Sequence, residues 1–196
     1  MRILSHYINK ECNAFLRATV LPLLSWLGRF EFALEVDSSK ESPKNVARNA
    51  RLLHEAACRL LNGVIDNGEL IPRSVSDLLK LVRQTIEKKL PDMADRGVAS
   101  LLFLRLLNPA LCSPDVYFGI PEPPAAHTRR TLILLSKLLQ NLANGVLFGE
   151  KESYLEFANE WLKSSRQLLS SFVFDTVFGI RKVNCPRCFF FSFFFF

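Results

Sequence analysis

The strongest constraint on this chain is the spacing of its apolar residues, which recur at three and four along most of its length. No useful stretch alternates with a period of two, so the pattern predicts helix throughout and no sheet. From 4 to 27 the series runs Leu4, Ile8, Cys12, Phe15, Val20, Leu23 and Leu27, and Pro22 should kink or split it. Residues 35–41 read as a polar connection. Ser42 and then Pro43 read as an N-cap followed by proline at the first helical position. Val46, Leu52, Leu53, Ala56, Ala57, Leu60 and Leu61 come next, and Gly63 predicts the end of that helix. Pro72 opens another, with Val75, Leu78, Leu79, Val82 and Ile86 on one face, and Pro91 stops it. Residues 97–107 are almost wholly apolar. Five prolines and one glycine predict a loop over 109–124. A long helix over 128–148 and an amphipathic one over 150–174 complete the series, the latter with Tyr154, Leu155, Ala158, Trp161 and Leu162 on one face. The expected fold class is all-α, an irregular helical bundle.

A chain of 196 residues with 49% hydrophobic and 22% charged residues can bury one core. Its net charge of +6 permits nucleic acid, an anionic membrane or an acidic protein face as partner and selects none of them. Residues 1–10 carry charge without the unbroken apolar stretch of a signal peptide, and no segment reaches the roughly 20 apolar residues of a membrane span. Five cysteines, at 12, 58, 112, 185 and 188, are odd in number. The first three lie in or beside apolar segments and read as buried, reduced thiols. Cys185-Pro186-Arg187-Cys188 is a lone CxxC with no second pair and no nearby histidine, so no metal site is expected. Seven of the last eight residues are Phe, interrupted by Ser192. That run is too short to span a membrane and would expose a large apolar patch on a soluble protein. Phe and Ser codons are rich in pyrimidines, so read-through into a pyrimidine tract would produce such an end. Residues from about Arg181 onward are therefore expected to be foreign to the native fold.

Two polar features stand inside apolar helices. Arg105 interrupts Leu101-Leu102-Phe103-Leu104-Arg105-Leu106-Leu107. A buried guanidinium costs several kcal/mol unless its donors are paired, and its five donors suit carbonyl oxygens at a loop or helix end. The other reading is that Arg105 reaches a surface or a nearby carboxylate. On the helix over 128–148, Arg130, Lys137, Asn141 and Asn144 fall within a stripe roughly 60° wide at about 100° per residue. Such a stripe either faces solvent or is presented to a partner.

These two segments carry a family resemblance. Phe103-Leu104-Arg105-Leu106-Leu107-Asn108-Pro109-Ala110-Leu111, with Ser113-Pro114 after it, resembles the FLR-x-x-x-PA-[IL] signature of Ras GTPase-activating proteins. The segment from Arg130-Thr131-Leu132 through Ser136-Lys137-Leu138 to Asn141-Leu142-Ala143-Asn144 resembles that family's second signature. Phe148-Gly149-Glu150-Lys151-Glu152-Ser153-Tyr154-Leu155 is similar to the family's segment on the C-terminal side of that signature. Upstream, Phe15-Leu16, Pro22-Leu23-Leu24 and Glu35-Val36-Asp37 look like the stretch leading out of the family's first catalytic helix. Neurofibromin-like proteins and other members of the family match alike.

The resemblance implies a helical domain over residues 1–175, lacking its N-terminal part, with 176–196 a non-native or disordered Phe-rich tail. It implies a partner, a GTP-bound Ras-like small GTPase, and no cofactor, metal or nucleic acid. The protein would activate another protein's hydrolysis rather than be an enzyme in its own right. It would be cytoplasmic, or peripheral at the inner face of the plasma membrane through the GTPase alone. In the family an arginine enters the nucleotide site and neutralises charge on the transferring phosphoryl group. Arg105 would stabilise the loop carrying that arginine through main-chain hydrogen bonds. Leu104, Arg105, Asn108, Arg130, Lys137, Asn141 and Asn144 would face the GTPase, with Lys137 meeting its acidic switch region. Without a partner Lys137 is expected to be hydrated. The family's finger arginine lies in an F-R-x-N-[ST] loop about twenty residues before Phe15, a count that passes Met1. The finger is thus missing from this chain, no catalytic residue is assigned, and the Arg105 fork is expected to be incompletely satisfied or turned to solvent. The chain is then either a piece of an activator, which the Phe-rich end favours, or a finger-less scaffold that binds a GTPase without activating it.

Overall fold

The computed structural model describes residues 2–180, and among these there is no strand. The fold is all-α, as the apolar spacing requires. Nine α-helices occur among the described residues: α1 Arg2–Glu11, α2 Asn13–Leu27, α3 Pro43–Asp66, α4 Arg73–Glu87, α5 Ala94–Leu102, α6 Asn108–Cys112, α7 Pro114–Phe118, α8 Ala126–Asn144 and α9 Asn159–Phe178. A π turn, Phe103–Leu107, joins α5 to α6, and a tight 3-10 stretch, Glu150–Ala158, leads into α9.

α8 is the central element. It packs on α3, α5, α6 and α9, and buries Leu132, Leu134, Leu135, Leu138, Leu139 and Leu142. These join Phe15, Leu16, Leu53, Leu60, Phe103 and Leu106 in one core. Each such side chain contributes roughly 1.5–3 kcal/mol by leaving water.

Several element ends differ from expectation, each for a local reason. The first helical stretch divides at Cys12 and runs on through Pro22. The Pro22 ring faces solvent, where water can satisfy the carbonyl that loses its donor. Gly63 does not end α3, which continues to Asp66. It lies instead against α2, where its carbonyl accepts the Thr19 hydroxyl at 3.3 Å. Residues 109–124 are not all loop, because Pro109 and Pro114 fall on the first turns of α6 and α7, where a missing N–H costs nothing. α8 stops at Asn144 rather than at 148, because Gly145 adopts the left-handed conformation at φ 66° and Val146 N–H closes back on Asn141 O at 3.0 Å. The stretch over 150–174 breaks at Glu152, whose φ −136° and ψ 43° are not helical. α9 carries through residue 175 to Phe178, with Thr176 and Val177 buried.

Of the three cysteines among the described residues, Cys12 is buried, Cys58 half-buried and Cys112 exposed, so burial holds for one of the three. Burial, helped by the Glu11 carboxylate, pushes the Cys12 thiol up to about 12. Cys185, Cys188 and the Phe-rich end lie outside the described residues. No helix among the described residues is long and apolar enough to cross a membrane.

Candidate functional site

The π turn places its side chains on two sides. Phe103, Leu106 and Leu107 point into the core at 0%, 1% and 1% exposure. Leu104 is half-buried and Arg105 is exposed. The arginine set in an almost wholly apolar stretch therefore emerges from it, and its side chain makes no hydrogen bond or ion pair with another described residue. π turns are uncommon and concentrate at functional sites. Asn108, at the end of the turn, points inward: its Nδ2 donates to Ser136 O on α8 at 3.4 Å, and its Oδ1 is buried without a partner among the described residues. Cys112 Sγ meets the Ser136 hydroxyl at 3.4 Å. Two elements that carry the candidate residues are thus tied at one point of α8, next to Lys137.

The stripe on α8 is not free. Arg130 Nε donates to Glu35 Oε2 at 2.8 Å and its Nη2 to Oε1 at 3.2 Å. Glu35 is 8% exposed, and its Oε1 also accepts the N–H groups of Val36 and Asp37 at 3.0 Å each. Burial works to raise the Glu35 carboxyl. The Arg130 bond and charge together with the two backbone N–H groups outweigh it and hold the carboxyl below its ordinary value. Residues 34–37 thus form a strap across α8, and it is fixed twice more: Asn49 Nδ2, wholly buried, donates to Glu35 O at 2.8 Å, and Leu34 N–H donates to Thr131 Oγ1 on α8 at 3.0 Å.

Lys137, expected to be hydrated, is instead engaged by its own chain. Its Nζ donates to the Glu152 carboxylate and to the Tyr154 hydroxyl, the latter at 3.0 Å. The Glu152 bond first, then the Tyr154 bond, raises the lysine above its ordinary value. The physical reason is the break at Glu152, which turns that carboxylate back over α8. Asn144 Oδ1 accepts the Ser100 hydroxyl of α5 at 3.3 Å. Asn141 is half-buried, and its side chain bonds to no other described residue.

Glu35, Glu152 and Tyr154 are the partners that reasoning from the sequence left without a role. Glu35 and Glu152 lie 95 and 15 residues from their cations, so no helical spacing points to them. The one available signal was their place in segments flanking the two signatures.

The model of the family described as "GTPase-activator protein for Ras-like GTPase" matches residues 27–144, which take in the strap, the π turn and α8. Disabled homolog 2-interacting protein of Homo sapiens is 34% identical over 146 residues, 72% of this chain and 12% of that protein. RAS protein activator like-3 of Mus musculus is 30% identical over 177 residues, 88% of this chain and 17% of that protein. Ras GTPase-activating protein 1 of Homo sapiens is 27% identical over 175 residues, 87% of this chain and 17% of that protein. The chain thus spans between about an eighth and a sixth of the length of these relatives.

Proposed function

The chain belongs to the family of GTPase-activator proteins for Ras-like GTPases, and on that premise we propose that residues 1–196 bind a Ras-like GTPase in its GTP-loaded form through the π turn and the stripe of α8. The observation that carries this reading is Arg105. Arg105 is exposed in an otherwise apolar stretch and its side chain bonds to no other described residue, which supports its being offered to another polypeptide. Leu104 beside it supplies apolar contact. Lys137, Arg130, Asn141 and Asn144 extend the surface along α8. The GTP-loaded form is preferred because the γ-phosphate orders the switch segments that such a surface grips. The protein sits in the cytoplasm and reaches the inner face of the plasma membrane through its partner.

Activation needs positive charge at the phosphoryl oxygens. For Ras with its activator the reference acceleration is about 10⁵-fold, or roughly 7 kcal/mol, a general value and not one for this chain. The 196 residues contain no F-R-x-N-[ST] motif. Bound alone, they can still order the switch segments and the GTPase's own water-positioning glutamine. Residues 1–196 by themselves therefore accelerate hydrolysis by a small factor only. The second reading is a scaffold that binds a GTPase without activating it.

Single-turnover GTP hydrolysis on a Ras-like GTPase, with residues 1–196 in excess, tests the mechanism. A small factor is expected, and a large one once an F-R-x-N-[ST] segment is joined upstream. Acceleration near about 10⁵-fold by residues 1–196 alone would refute the requirement for the arginine. If the joined segment adds nothing, the scaffold reading holds. Equal affinity for the GDP-loaded and GTP-loaded forms would rule out the docking face.

A further inference from the structure

Arg105 and Pro109 stand four residues apart. In an α-helix the N–H of residue i+4 donates to the carbonyl of residue i, so the Arg105 carbonyl would look to Pro109. Proline has no N–H, and its ring would press on that same carbonyl. The backbone avoids the collision by opening. Over Phe103–Leu107 it forms a π turn, and the N–H of Asn108 reaches back five residues to Phe103 O. Pro109 then falls on the first turn of α6, where its ring and missing donor are tolerated.

The opening has a local cost. Because the Asn108 N–H goes to Phe103 O, it no longer serves Leu104 O. Arg105 O has no donor at 109 at all. Two successive carbonyls lose their α-helical partners, and with them the net stabilisation of those hydrogen bonds. What the opening secures is placement. Leu101 and Leu102 before the turn, Phe103, Leu106 and Leu107 within it, and Ala110 and Leu111 after it are all buried, while Arg105 alone within it is exposed. Closing the turn to α geometry changes the residues per turn from about 4.4 to 3.6 and rotates residues 104–105 relative to one of those buried sets. The Asn108 bond to Ser136 O fixes the far end of the turn against α8, so the rotation falls on Arg105 and Leu104.

We propose that Pro109 is a positioning residue: by denying the Arg105 carbonyl an α-helical donor, it holds the π turn that aims Leu104 and Arg105 out of the protein at the GTPase-docking face. The proposal rests on the docking reading above and adds the element that sets its geometry. It is not a statement about stability, because the ordinary effect of proline within a run of helix is to weaken it.

The test uses residues 1–196 with Pro109→Ala, which supplies the missing N–H and removes the ring. The helix should close, with the new amide at position 109 protected from hydrogen exchange. The melting temperature should hold or rise. Affinity for a GTP-loaded Ras-like GTPase should fall about tenfold, the scale of one charged contact. Arg105→Ala should cost a similar factor, and the two changes combined should cost little more than either, since they act through one side chain. A closed helix with unchanged affinity overturns the proposal. So does a loss that adds in full to that of Arg105→Ala, or one accompanied by a lower melting temperature and unaltered exchange, because each describes a residue that supports the fold without aiming Arg105. If the unmodified chain binds neither nucleotide form, the docking reading fails and takes the aiming role with it. Hydrogen exchange at positions 104–110 still decides whether Pro109 makes the turn.

Discussion

Arg130 and Lys137 sit seven residues apart on one stripe of α8, about 10 Å along the helix, and each faces a carboxylate of its own chain. The two cations are almost equally accessible, at 31% and 35% of their side-chain surface. Their carboxylates are not: Glu35 is at 11% and Glu152 at 33%. Glu35 is further held by two backbone N–H groups and by a strap that Asn49 and Thr131 fix in place. Glu152 stands at the break of a 3-10 stretch and faces one lysine. Place on the stripe therefore does not sort these residues by role. The burial of the partner carboxylate does, making the first pair part of the fold and the second an exchangeable contact.

The largest effect that can break this comparison concerns binding. Lys137→Ala should cost a GTP-loaded Ras-like GTPase about 2–5 kcal/mol of affinity, because in the proposed docking the lysine would meet an acidic face with part of its hydration removed. The fold should lose under about 1 kcal/mol, since the pair it leaves is a third exposed. Titration by fluorescence together with a thermal melt reads both. A sharp drop in melting temperature with affinity intact would place Lys137 with Arg130 as a structural residue.

Arg130→Ala should do the reverse. It leaves Glu35 shielded from water and without its cation, at a cost to the fold of about 2 kcal/mol, discounted because Arg130 itself is partly solvated. Denaturant unfolding should report that loss, with a smaller change in affinity than Lys137→Ala gives. The pH dependence sharpens the point. The folded-state carboxyl of Glu35 is held below the ordinary 4.5, so its contribution is fully present above that value and lost as pH falls through the lowered one. Melting temperature should therefore decline in acid, and Glu35→Gln should make that decline shallower. An acid profile untouched by the substitution would mean that the strap is not held by the charge.

The helices were legible because burial leaves a period, and the run Val75, Leu78, Leu79, Val82 and Ile86 states its face without help. Their ends were less so. Gly63 carries a common stop signal yet serves a helix contact, and Gly145 carries the same signal and does stop α8. The difference lies in α2, which no local window contains. At the site, Arg105, Arg130 and Lys137 announced themselves as cations in apolar helices. Their pairing did not, because a side chain's partner is set by the packing of distant segments. The π turn was latent in the four-residue step from Arg105 to Pro109, but only the run of buried residues on both sides makes opening the better solution.

The smallest effect is the most discriminating. If the Lys137–Glu152 pair is exchangeable, a partner must break it before it can use the lysine. A pair this exposed holds on the order of 0.2–1 kcal/mol, so its rupture should cost binding no more than about fivefold. Glu152→Gln removes the competing charge, keeps the shape and leaves the Tyr154 hydroxyl on Lys137. Affinity for the GTP-loaded form should therefore rise by a small factor, and melting should shift by no more than a degree or two. The gain should shrink as salt is added, because added ions screen the pair in the unmodified protein as well. A fall in affinity would mean that Glu152 orients Lys137 for its partner rather than competing for it. That would turn the second pair, like the first, into a built part of the surface, with the GTPase meeting a lysine already held in place.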